Sequence, residues 1–133
     1  MGRFDRIPEG APGTTTSATD FWVHEGVVHG RAKTEVRHAE LAHVIEDAEQ
    51  LRRLTGGEPF PLFFDARHLD SFHIDTRAYI RHHFGELFTR AAMIVEPHML
   101  GSLSHALLGV GGASIPFRVF TDEDEAWRFA IGT

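Results

Sequence analysis

The chain has no cysteine, one lysine and no long apolar run, and each shortage closes off a class of protein. Without cysteine there is no disulfide scaffold, no thiolate zinc site and no cysteine nucleophile. The longest apolar runs, Phe60 to Phe64 and Ala91 to Val95, fall far short of the roughly 20 residues that cross a bilayer, so no membrane insertion is expected. No contiguous apolar h-region opens the chain, which argues against a secretory signal and makes a cytoplasmic location the expectation. The 13 basic residues, 12 of them arginine, are scattered, and the formal net charge is −6. Nucleic acid is therefore not the expected partner.

What is present fits a folded domain. Of 133 residues 42% are apolar, with 11 Phe and 2 Trp, enough for one closed core. Residues 1–19 hold Gly and Pro clusters and the run Thr14-Thr15-Thr16-Ser17 without an apolar period, and read as a flexible leader. Residues 20–133 read as a single domain. It opens with a hairpin, Phe21-Trp22-Val23 and Val27-Val28, joined through His24-Glu25-Gly26, with the second strand continuing toward Val36.

From His38 to Thr55 the period changes to that of a helix. Leu41, Val44, Ile45, Ala48, Leu51 and Leu54 form the stripe, while Glu40, Glu46, Asp47, Glu49, Arg52 and Arg53 occupy the other face. Gly56-Gly57 supplies the stop. Phe60 to Asp65 reads as a strand buried on both faces. A polar loop, Arg67 to His73, leads to a second helix, Asp75 to Phe88, with Asp75 as N-cap and Ile80, Phe84, Leu87 and Phe88 as its stripe. Ala91 to Val95 is a further apolar strand. Pro97 opens a third helix carrying Met99, Leu100, Leu103, Ala106, Leu107 and Val110, ended by Gly109, Gly111 and Gly112. Phe117 to Phe120 is the last strand, and Thr121 with Asp124 forms a capping-box-like pair before a terminal helix. The order ββαβαβαβα predicts an α/β domain with a mixed, mostly parallel sheet and an opening β-hairpin.

Three stretches carry a family resemblance: Pro61-Leu62-Phe63-Phe64-Asp65-Ala66-Arg67, a strand ending in Asp-x-Arg; Ala91 to Val95; and Pro116 to Trp127, an apolar strand followed by Thr-Asp and an acidic helix start. With the element order, they make residues 20–131 resemble the STAS domain, the anti-sigma-factor antagonist (SpoIIAA-like) group, and in particular the small bacterial STAS/SEC14-like domains. In the antagonists a Ser of an Asp-Ser-Ser-Gly stretch opens the helix after the central strand and is phosphorylated by a partner kinase. The matching stretch here is His73-Ile74-Asp75-Thr76, so the phosphoacceptor motif is not retained. Ile74 or Asp75 stands in the acceptor place, Thr76 offers the one hydroxyl, and Asp70-Ser71 falls several residues early.

The resemblance implies a non-enzymatic regulatory or protein-interaction domain. Its partner surface would be His68, Asp70, Ser71, Phe72, His73, Asp75 and Thr76, with Thr76 the residual phosphorylation site. The protein partner is unspecified, and self-association into a homodimer is a second expectation. The alternative, by analogy with SEC14-like folds, is a small apolar-ligand or lipid-binding domain using aromatics near the sheet's C-terminal edge. Of the eight Phe around the central strands, Phe72 stands out because it lies in a polar loop.

Other chemistry is weighed on spacing. Ten histidines are present, but no His-Glu-x-x-His. Asp65, His68, Asp70, His73 and Asp75 crowd one loop, and the favoured reading is a solvated polar surface holding no metal and no cofactor. The hydrolase elbow Gly-x-Ser-x-Gly is missing, and Ser102 with His105, i and i+3 on a helix, lacks an orienting third group. Gly109-Val110-Gly111-Gly112 follows a helix and lacks a Lys-Ser/Thr ending, so it is a helix stop rather than a phosphate loop. The run Asp122 to Glu125 suits a helix N-terminus.

Overall fold

The computed structural model describes residues 2–101 and 115–133. The strand that reads as apolar on both faces, β5 (Phe60–Asp65), lies inside the sheet, because such a strand must be covered above and below. Its parallel neighbours are β3 (Val27–Ala32) and β7 (Phe88–Ile94), in the registers His29↔Phe63 and Phe63↔Ala92. The hairpin of β2 (Thr19–His24) with β3 and the last strand β8 (Phe117–Phe120) extend the sheet to either side. With β1 (Gly13–Thr15) the order is β1-β2-β3-β5-β7-β8. The fold is a mixed α/β sheet, parallel from β3 to β8 and antiparallel at the hairpin end, as the apolar pattern requires.

Alternation divides the sheet's side chains between two layers. Phe21, Val28, Leu62 and Ala91 pack with Ala48 and Leu51 of α1 (Leu41–Thr55) and Leu87 of α2 (Ile74–Leu87). Trp22, Phe63, Ala92 and Ile94 pack with Ala126 and Ala130 of α3 (Glu123–Ile131). α1 ends where expected: Gly56 adopts φ 67 and its N–H caps the Arg52 carbonyl. The cap of α3 is one residue later than Thr121, since the Asp122 carboxylate accepts from the Glu125 N–H at 2.9 Å.

Several expectations are corrected. The segment read as a flexible leader holds core structure: β1 pairs with β2, and Phe4 is 2% exposed with its ring 4.5 Å from that of Phe63. A single aromatic among Gly and Pro gives no period, yet it fills the layer beside α3. The hairpin's second strand ends at Ala32, with a turn from Lys33 to Val36. The loop before α2 contains a two-residue strand, β6 (Ser71–Phe72), paired in parallel with β4 (His38–Ala39). α2 begins at Ile74 with His73 as its N-cap, so Asp75 is not the cap residue. Pro97–Met99 form a 3-10 turn that runs into helix at Leu100 and Gly101; the remainder of the expected third helix, its glycine stop and the Ser102–His105 pair lie outside the described residues.

Two side chains show how tightly the sheet is filled. His29, 3% exposed, stacks on Trp22 at 5.5 Å and meets Phe63 edge-on at 5.4 Å. Burial lowers its pKa, so the ring stays neutral, bonded through Nδ1 to the Val27 carbonyl at 3.1 Å. On the opposite face Gly30 lies in register between Phe21 and Phe64, whose rings close over it. A Cβ there would come within 2.5 Å of Phe64 Cδ2 and 2.9 Å of Phe21 Cε1. Gly30→Ala should cost about 1–3 kcal/mol by overpacking. Phe4→Ala should cost about 3–5 kcal/mol by leaving a cavity. Urea unfolding of both variants measures these losses; an unchanged midpoint for Phe4→Ala would return residues 1–19 to the status of a leader.

Candidate functional site

The residues expected to form a partner surface fall on a braced ribbon rather than a loose loop. Asp70 makes a bidentate pair with Arg37, at 2.9 and 3.1 Å, which pulls its carboxyl below the usual range. Ser71 Oγ lies 2.7 Å from His38 Nδ1. The His73 N–H donates to the Ala39 carbonyl at 3.2 Å. Four successive ties thus join residues 37–39 to residues 70–73 and fix where α2 begins.

The individual side chains divide between surface and interior. His68, His73 and Asp75 are exposed, and the Asp75 carboxylate turns back to accept the Thr76 N–H at 2.9 Å. His68 lines an open cleft together with Asp65, Asp20 and Arg31. Phe72, the aromatic singled out in the loop, is half-buried against the core beneath α2. Thr76 is fully buried, and its Oγ donates to the Ala39 carbonyl at 2.9 Å. That corrects its reading as a residual phosphorylation site: the hydroxyl is spent inside the protein. The exposed apolar residue is instead Ile74, 76% accessible in the first turn of α2.

A second feature escaped sequence reasoning. Between the sheet and the two helices α1 and α2 is a cavity of about 70 Å³, walled by Phe21, Phe64, Phe72, Phe84 and Met93 among others. Thr19, with His43 and Asp47 of α1, completes a lining that is otherwise apolar. Asp47, expected on the outer face of α1, points inward instead. Its Oδ1 accepts from Thr16 Oγ at 2.6 Å and its Oδ2 from Thr19 Oγ at 3.1 Å. Burial pushes the Asp47 carboxyl up to about 6, against the pull of the two hydroxyls. His43 Nδ1 is buried with no hydrogen-bond partner among the described residues, while Nε2 lies 3.9 Å from Glu40 Oε2.

The sheet's C-terminal edge carries a third cluster. Asp65 holds Arg67 at 2.8 and 2.9 Å, and Arg67 reaches Glu123 at 3.3 Å. Arg3 in turn donates to Asp124 at 2.6 Å. These ion pairs satisfy one another and clamp the N-terminal segment to α3. Among the described residues, no three His, Asp or Glu side chains converge as metal ligands. No described helix is long and apolar enough to cross a membrane.

Comparison with known proteins fits this architecture. The profile of a family described as "Domain of unknown function (DUF7793)" matches residues 21–131. No curated protein matches the chain. A crystal structure of an uncharacterized protein from the DUF3478 family with a SpoIIAA-like fold, from Shewanella loihica PV-4, superposes with a TM-score of 0.60 at 15% identity, covering 85% of this chain and 92% of that one. At that identity the likeness establishes the fold, which is SpoIIAA-like.

The Asp47 geometry has a pH signature. The folded state holds this proton between pH 3.8 and about 6, where the unfolded chain has released it. The group therefore lowers stability as pH rises through that window and leaves it lower above it, by as much as about 3 kcal/mol. Asp47→Asn removes the ionisation while keeping an oxygen for the hydroxyls. Its stability relative to the parent should be greater near pH 7.5 than near pH 4.5 in urea melts. An equal difference at both values would show that Asp47 ionises freely.

Proposed function

The chain belongs to the family described as "Domain of unknown function (DUF7793)", and we propose that it is a non-enzymatic interaction domain whose contact surface is the β4–β6 ribbon and the first turn of α2. The observation that carries this reading is Ile74. A large apolar side chain, three-quarters accessible, stands at a helix start with the exposed His73 and Asp75 on either side. Ile74 belongs to none of the apolar clusters that the described residues form. A hydrophobic anchor ringed by polar groups is what a small protein interface uses.

The resemblance to anti-sigma-factor antagonists supports the same surface, because the partner-facing helix start of that group aligns with His73 to Thr76. With Thr76 buried, the surface has one standing state rather than a phosphorylated and an unphosphorylated one. His68, Asp70, Ser71 and Phe72 then act as frame or rim, with Phe72 supporting the ribbon from below. A second reading, a small apolar-ligand domain, is favoured by the cavity under α1 and α2. At about 70 Å³ the cavity is smaller than the space an acyl chain requires, which favours a small molecule over a lipid.

A photoreactive amino acid at position 74 tests the interaction reading in the source cell. The expected result is one discrete cross-linked adduct, either to another protein or to a second copy of this chain. Moving the probe to Ala78, an exposed position one turn on, should weaken the adduct, and Asp70→Ala should weaken it by loosening the ribbon. A smear of adducts equal at both positions, or none, would remove Ile74 as the anchor.

A further inference from the structure

The segment before β1 is a strap fixed at its tip. Phe4 is buried, its ring 6.2 Å from those of Trp22 and His29 and 4.5 Å from that of Phe63. Arg3 holds it down, the backbone N–H donating to Glu123 and Nη1 to Asp124, and Arg31 donates to the Phe4 carbonyl. Beyond the tip Asp5, Arg6, Ile7, Glu9 and Gly10 are exposed, and the chain rejoins the sheet where the Val23 N–H donates to the Pro12 carbonyl at 2.8 Å. We propose that this strap is released by acid: a proton on His29 expels Phe4 and frees residues 2–10, while the rest of the domain stays folded.

Of the rings that meet Phe4, only His29 can take a proton. It is fixed from both sides, in register with Trp22 of β2 and Phe63 of β5, so it cannot reach water without breaking the sheet. Phe4 can move, because only the strap carries it. The charged groups around the ring give a proton little support. The hairpin turn presents His24, with its ring at 6.0 Å, and Glu25, which faces that same His24. The strap presents Arg3, a cation, over the Trp127 ring at 5.3 Å. On β3 itself Arg31 is paired with Asp20 and lies over the Trp22 ring at 5.4 Å. Two of the aromatic rings around His29 thus each face a guanidinium already. β5 meets the ring with Phe63 and α3 with Trp127, while the α3 carboxylates Glu123 and Asp124 are engaged by Arg67 and Arg3.

The direction follows from where the proton is resisted. Burial first, then His24 and Arg3, lowers the pKa of the seated ring against the pull of the Val27 carbonyl and Glu25. Release lets water reach the ring, which then takes a proton near its ordinary 6.5. As pH falls from there toward the seated ring's lower value, the ratio of released to seated strap rises by up to about tenfold per pH unit, and so by at most about thirtyfold at pH 5. The layer on the other face of the sheet responds in the opposite sense. Asp47 takes up its proton at about 6, which favours the folded sheet with α1, so acid firms that layer while it loosens the strap. The Arg3–Asp124 pair persists through the same range, since Arg3 holds the Asp124 carboxyl below its usual range. α3 keeps its own hold through Ala126 and Ala130 and through Arg90, which donates to the Phe129 carbonyl at 2.9 Å. The opening is therefore confined to the Phe4 seat.

The test is amide hydrogen exchange of the full chain at pH 7.5, 6 and 5, each rate divided by that of the unstructured chain at the same pH. Protection of the Arg3 N–H should fall by about tenfold or more between pH 7.5 and 5, while amides of β5 and α1 keep theirs. His29→Phe keeps a ring that takes no proton and should hold Arg3 protection constant across the series; if that chain does not fold, His29→Gln makes the same comparison. Arg3 protection that is independent of pH in the parent would overturn the proposal. So would an equal fall in both the parent and the His29 variant, which would trace the loosening to carboxylates, or an equal fall at β5, which would mean that the whole domain opens.

Discussion

Strands β5 and β7 have no side that tolerates water, and that one constraint organises the molecule. Between Leu62 and Phe63, and again between Ala91 and Ala92, consecutive residues point to opposite faces and all four are buried. Each face then needs its own cover. α1 and α2 supply one, with Ala48, Leu51 and Leu87 against the sheet. On the other face α3 is only nine residues long, and its buried side chains are Ala126 and Ala130. A short, alanine-faced helix leaves part of that face bare. Phe4 fills the gap, and Arg3, bonded to Asp124 and lying over the Trp127 ring at 5.3 Å, holds Phe4 in place.

Closed layers of this kind take in few polar groups, and each one enters on different terms. Thr76 needs a single acceptor and finds the Ala39 carbonyl, which welds α2 to the ribbon. His29 gives up its charge and becomes one ring in an aromatic group with Trp22, Phe63 and Trp127. Asp47 keeps its hydrogen bonds but gains a proton more readily than a free carboxylate. His29 and Asp47 respond to acid with opposite sign: protonating the histidine opposes folding, while protonating the aspartate favours it.

Elements with a strong period were legible from residues alone. α1 with its Gly56 stop, β5 and β8 appear where the stripes and runs put them, because burial of a stripe or of a doubly apolar run is a local property of the chain, although the helix starts at Leu41 and His38–Ala39, read as its first turn, form β4. What was missed depends on distant partners. Phe4 acquires meaning only opposite Phe63, and the β4–β6 ribbon pairs segments 33 residues apart through two residues each. The site errors had a signal that was available. Asp47 lies three residues after Val44 and four before Leu51, on the apolar stripe itself, and the hydroxyls of Thr16 and Thr19 were its waiting partners. Thr76 likewise stands four residues before Ile80, on the inner face of α2. Asp47 and Thr76 are polar residues in phase with a stripe, and both lie on the inner side of their helices.

The contact between Phe4 and the α3 layer also sets an order of events during synthesis. Its two halves are made about 120 residues apart: the Arg3 N–H donates to Glu123 at 2.8 Å, and Phe4 belongs to the cluster that contains Ala126 and Trp127. A ribosome adds roughly 5–20 residues each second, so on that scale the first half waits many seconds for the second. The hairpin, α1 and β5 can associate meanwhile, since all their residues precede residue 66. During that interval the face carrying Trp22, His29 and Phe63 has no helix to cover it. A nascent chain stalled before residue 123 would therefore display an aromatic sheet surface that the finished protein never shows, the kind of surface that chaperones bind.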